Sequence, residues 1–135
     1  MNIEQAYEFI NSTSKEYWDL LDFIHVGIGT IPPIHYVHKA NGTAGFAYFS
    51  GKVEFNINYF TTHNNIKELE EIIAHELCHI LQYRIAPQAK QGHGPEFRKY
   101  MNSLGFSGRT YHSMNVQKAK AANKNIFEQL MEVEI

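Results

Sequence analysis

With 135 residues the chain has the length of one domain and can bury about two-thirds of its unfolded surface without covalent cross-links. Its one cysteine, Cys78, excludes an internal disulfide and a four-cysteine zinc ribbon. A formal charge of −2, with both signs intermixed, gives no electrostatic support for nucleic-acid or acidic-membrane binding.

The start, Met1-Asn2-Ile3-Glu4, lacks the basic and apolar blocks of a secretory leader. No apolar run approaches the roughly 18 residues of a spanning helix. A soluble, cytoplasmic protein without membrane partners is therefore expected, folded as a single domain over residues 1–135. From Ile3 to Phe23 apolar residues recur at helical spacing, and the cluster Asn11-Ser12-Thr13-Ser14 divides the stretch into two predicted helices, the second capped near Ser14.

Gly27, Gly29 and Pro32-Pro33 then forbid a helix, and Ile34 to Val37 reads as a short strand. Thr43 to Phe49 is apolar and β-prone. Val53 to Tyr59 alternates strictly between apolar and polar residues, which predicts a half-buried strand, and Ser50-Gly51 supplies a hairpin turn between the two.

A long helix is predicted from Asn65, with Glu68 three residues on as in a capping box, to about Ile85, where Pro87 stops it. Gly94-Pro95 opens a further helix with Pro in its first turn, and Gly105 ends it. Val116 to Asn123 has helical composition, whereas Ile126 to Ile135 fits helix or strand. Helices around a small sheet make an α+β class.

Inside the long helix lies His75-Glu76-Leu77-Cys78-His79, an H-E-x-x-H segment. Residues four apart on a helix are separated by about 40° around its axis, so His75 and His79 can aim at one ion. Glu76, about 100° from His75, flanks that ion without chelating it, where a base acting on water belongs. Ile73, Ala74, Leu77, Ile80 and Leu81 fall on the opposite side; Ile72 and Tyr83 share the metal side. Cys78 points away and reads as a packing residue.

A catalytic zinc takes three protein ligands and keeps one position open. The metzincin pattern is excluded, because Gln82 and Ile85 stand where it needs Gly and His. His93, flanked by Gly92 and Gly94, is favoured as third ligand. Glu96 at the next helix start is the alternative, or a group holding a histidine from behind. His25, His35, His38 and His63 have no ligand-like spacing to the motif and read as surface or packing residues. Lys118, Lys120 and Lys124 read as a solvated face.

His75 to His79 together with Gly92-His93-Gly94-Pro95-Glu96-Phe97 resembles the signature of the SprT-like metallopeptidase family, which includes bacterial SprT and eukaryotic Spartan proteins. The likeness extends from Thr43-Ala44-Gly45 to Tyr111-His112. It implies a zincin-like fold with its sheet hairpin packed on the motif helix, and one Zn²⁺ per chain held by His75, His79 and His93. It also implies peptide-bond hydrolysis in protein or peptide substrates, with Glu76 assisting the attack of zinc-bound water. Tyr111, His112 or Tyr83 would be a second oxyanion donor. Relatives that act on DNA-crosslinked proteins often carry a zinc ribbon or basic tail, and these 135 residues contain neither, so a DNA-linked role is not expected. The competing expectation is a catalytically inactive zinc-binding interaction module on the same fold.

Overall fold

The computed structural model describes residues 1–40, 43–87 and 92–108. It begins with helix α1 (Ile3–His25), whose entry is fixed by a capping box: the Asn2 side chain accepts from the Gln5 N–H while the Gln5 side chain accepts from the Asn2 N–H. The expected break at residues 11–14 does not occur. Thr13 and Ser14 are buried against the rest of the fold, Ser12 Oγ donates to the Phe9 carbonyl, and the helix runs through. Tertiary packing of Ala6, Ile10, Tyr17, Trp18 and Leu21 outweighs the weak helix preference of four short polar residues.

Three short strands follow: β1 (Ile34–Val37), β2 (Gly45–Ala47) and β3 (Val53–Asn56). They form one mixed sheet in the order β1-β3-β2, with β1 parallel and β2 antiparallel to β3. The turn joining β2 to β3 closes through Tyr48 N–H to Lys52 O (2.9 Å) and Gly51 N–H to Tyr48 O (2.9 Å). Gly51 sits at φ 108°, a left-handed conformation that glycine adopts without strain.

The predicted strand from Val53 to Tyr59 is half right. It stops at Asn56, and Ile57–Thr62 forms a helix, α2. Asn56 switches the backbone: its side-chain oxygen accepts from the Asn58 N–H (3.3 Å), and its amide donates to the Lys39 and Thr43 carbonyls (2.8 and 3.1 Å). Ile57, Asn58, Tyr59 and Phe60 are all buried, so the alternation in sequence does not mark a two-faced strand there.

Helix α3 (Ile66–Ile85) and helix α4 (Pro95–Ser103) appear where the sequence indicates. Asn65 accepts from the Glu68 N–H, Ala86 closes α3, and Gly105 follows α4 at φ 89°. Among the described residues the result is an α+β single domain in which the three-stranded sheet packs with four helices. Ile73, Ala74, Leu77, Ile80 and Leu81 of α3 are completely buried, and so are Phe55, Phe60 and Phe97. Each such large side chain contributes about 1.5–3 kcal/mol of apolar burial. Arg84 ties the far end of α3 to the loop before β1, donating to the Ile28 and Thr30 carbonyls (3.0 and 2.6 Å). No described helix is long and apolar enough to cross a membrane. The predictions for Val116 to Asn123 and Ile126 to Ile135 lie outside the described residues.

Candidate metal centre

The middle of α3 faces the sheet's β2 edge, and the chain before α4 folds back over it. Three imidazoles meet there. His93 Nε2 lies 3.0 Å from His79 Nε2 and 3.2 Å from His75 Nε2, and the ligand-type nitrogens of all three fall within 4.8 Å of one another. Among the described residues, no other group of three His, Cys, Asp or Glu side chains converges in this way.

The arrangement fits a metal ion. Tetrahedral zinc with Zn–N near 2.0–2.1 Å sets its ligand nitrogens about 3.3 Å apart, close to the observed separations. His79 Nδ1 lies 3.3 Å from Gln82 Oε1, an acceptor, which keeps the ring proton on Nδ1 and leaves the Nε2 lone pair for the cluster. With all three rings protonated on Nδ1, their Nε2 lone pairs would repel at this distance, and a cation between them would remove that conflict. Burial lowers the pKa of His79 to about 4 and that of His93 below its ordinary value, so both rings are neutral at pH 7 and available as ligands. The three-histidine group can therefore hold a metal ion.

Phe97, fully buried on α4, packs against all three rings, with centroids 4.5 Å from His79, 4.8 Å from His75 and 4.9 Å from His93. Arg98 Nε donates to the His93 carbonyl (3.2 Å), bracing the loop that brings this histidine back. Glu96 is exposed in the first turn of α4 and outside the cluster, so the support behind a ligand falls to Gln82 instead.

Glu76 occupies the flank of the cluster, with Oε1 3.8 Å from His75 Nε2. It is only 8% exposed, and burial raises its pKa to about 8, opposed by a hydrogen bond from the Ala47 N–H. A dication among the histidines would reverse that preference and favour the carboxylate. Gly45 makes room for this side chain. A Cβ there would lie 3.0 Å from Glu76 Cγ and 3.2 Å from the Phe55 ring.

The cleft above these groups, about 210 Å³, is lined by His75, Glu76, His79, His93, Tyr83 and β2. Tyr83 thus lies on the metal side as read from the helical wheel. Cys78 is buried away from the cluster, and burial pushes its thiol pKa up. His38 contacts Tyr7 Oη (3.1 Å), His25 packs on the Tyr100 ring, His63 Nδ1 lies 3.0 Å from the Tyr59 carbonyl, and His35 is exposed on β1. Tyr111, His112 and Lys118, Lys120 and Lys124 lie outside the described residues.

Sequence reasoning assigned no role at the site to Gln82, Ala47 or Gly45, although Gly45 lies within the family likeness. Gln82 was accessible, because it stands three residues after His79 on the same helix face. The other two act across a strand–helix contact that no local spacing announces.

Fold and site together define a small α+β domain carrying a three-histidine group able to hold a metal ion, beside a buried glutamate. The SprT-like family model matches residues 7–121, and the chain belongs to that family. Comparisons with curated proteins and with solved structures gave no match.

Proposed function

We propose that the protein is a zinc-dependent peptidase that hydrolyses peptide bonds in protein substrates. The observation that carries this reading is the buried Glu76 carboxyl set beside the three converging histidines, at the edge of a β-strand. A purely structural zinc site would close around a fourth protein ligand and would have no use for a buried base on its flank.

His75, His79 and His93 would hold the ion at the floor of the cleft. A bound zinc would supply Lewis acidity there, for the scissile carbonyl and for the acidity of water. Glu76 takes the proton of the attacking water and passes it to the leaving amine, a role worth about 10²–10⁴-fold. The Ala47 N–H orients this carboxylate toward the cleft. Tyr83, lining the same space, is the described candidate for a hydrogen bond to the developing oxyanion.

Substrate binding follows from the strand register. Asn56 N–H donates to the Ala44 carbonyl and Tyr48 N–H donates to Lys52, so Ala44, Phe46 and Tyr48 turn their polar groups toward β3. Gly45 and Ala47 consequently turn theirs outward, along the cleft. An extended peptide can add to that edge, with main-chain bonds supplying affinity and little side-chain selection. Of the two hairpin strands β2 is the outer one, which supports it as the substrate-binding edge. Activity on a flexible protein then needs no DNA.

The test is cleavage of an unfolded protein by zinc-loaded wild type and Glu76→Gln, with and without single-stranded and duplex DNA at low and moderate salt. Wild type should cut without DNA, and the variant should keep its zinc while losing nearly all cleavage. Undiminished cleavage by the variant, or activity that appears only with DNA and vanishes with salt, would overturn the reading.

A further inference from the structure

A large apolar side chain stands uncovered next to Tyr83, one of the residues that line the cleft. Phe49, in the turn after β2, is 58% exposed, and its ring lies 5.2 Å from that of Tyr83. Tyr83 is in turn stacked on His79, with centroids 6.1 Å apart and planes 19° from parallel. The series Phe49, Tyr83, His79 therefore runs from solvent to the three-histidine group, and its inner two members line the cleft beside β2.

The turn fixes this series. The Tyr48–Lys52 closure and the left-handed Gly51 set Phe49 at the tip of the turn, where its ring meets Tyr83. The neighbouring ring Tyr48 is already engaged, with Phe46 at 4.8 Å and the Lys52 ammonium 4.6 Å from its centroid. Phe49 packs on Tyr83, which lines the cleft, and is otherwise open to solvent.

We infer that Phe49 and Tyr83 form a substrate subsite that accepts a large apolar or aromatic side chain at one fixed position beside the scissile bond. The inference rests on the peptidase reading and adds a selectivity to it. A strand laid on β2 projects alternate side chains toward α3, and the one reaching Phe49 and Tyr83 finds two aromatic faces. Such residues are buried in folded proteins and exposed in unfolded ones. The subsite thus selects unfolded or locally opened protein segments as the substrate class.

The experiment has two arms. In the first, zinc-loaded wild type, Phe49→Ala and Phe49→Leu are given matched peptides differing only by Phe or Gly at each position flanking the cleaved bond. Wild type should favour Phe over Gly at one position, and Phe49→Ala should cut that kcat/KM ratio about tenfold, within the roughly 10–200-fold range of apolar pocket contacts. Phe49→Leu should restore part of it. All three proteins should share one melting temperature and one zinc content, which separates the subsite from a structural role.

In the second arm, binding of the same peptides to Glu76→Gln is read by fluorescence anisotropy, alone and combined with Phe49→Ala. Phe49-dependent binding without any cleavage by wild type would keep the subsite and remove the peptidase reading. Cleavage with equal rates for Phe and Gly, or a preference untouched by Phe49→Ala, would overturn the subsite while leaving the peptidase. Neither binding nor cleavage overturns it as well.

Discussion

Helices α1 and α3 are of similar length and both bury short polar stretches, but they do so to different ends. On α1 the buried polar residues are Thr13 and Ser14, small hydroxyls tucked into a packed interface, with Ser14 Oγ lacking a hydrogen-bond partner among the described residues. On α3 they are Glu76, His79 and Gln82, large groups linked to the Ala47 N–H, to His93 and to one another. Burying an ionisable group costs several kcal/mol unless something compensates it, so a helix that buries a carboxyl and an imidazole on one side is spending stability on chemistry. A helix that buries two hydroxyls is only packing.

That contrast is open to direct attack. The largest effect is expected at the cluster: His93→Ala should purify without zinc under conditions that load wild type one to one. Glu96→Ala, altering an exposed side chain outside the cluster, should stay loaded. Metal analysis checks both, and the reverse pattern would mean that the ligand assignment is wrong.

Next comes Gly45→Ala. Its added methyl would meet Glu76 Cγ at 3.0 Å and the Phe55 ring at 3.2 Å, so the base must shift while the histidines do not. Peptidase activity should fall by about tenfold or more, given that general-base catalysis is worth roughly 10²–10⁴-fold. Zinc content should not change. A fully active variant would show that the close approach of β2 does not position Glu76.

Gln82→Ala should weaken zinc binding by about 10–100-fold, the usual effect of removing a group that orients a ligating histidine. Competition with a chelator of known affinity reads this out. On α1 the metal should be indifferent. Leu21→Ala should cost about 2–5 kcal/mol in denaturant unfolding, through lost burial and a cavity, and should leave zinc stoichiometry at one. A loss of zinc in the folded Leu21→Ala protein would erase the distinction between the two helices. The smallest change is expected for Ser14→Ala, within about 1 kcal/mol of wild type, since it removes a hydroxyl with no partner among the described residues.

The two helices also differ in how well their sequences declare them. The helical spacing of His75, Glu76 and His79 is a local property, so their common side could be read directly, and the glycines around His93 marked a turn able to bring it back. The break expected on α1 failed because packing of Tyr17, Trp18 and Leu21 decides that region, and packing is not local. Val53 to Tyr59 misled for a related reason. Its alternation continues beyond Asn56, but Asn56 holds the Lys39 and Thr43 carbonyls and turns the chain into α2. The parts of the site hidden from sequence, Ala47 and Gly45 against Glu76, exist only once β2 has docked on α3.

The central claim is an open, three-histidine zinc site, and X-ray absorption at the zinc edge on the purified, metal-quantified protein tests it most directly. The account predicts one zinc per chain with three nitrogen ligands at about 2.0–2.1 Å and one oxygen from water. A site closed by a fourth protein ligand, any sulfur contribution from Cys78, or a protein that takes up no zinc would contradict it.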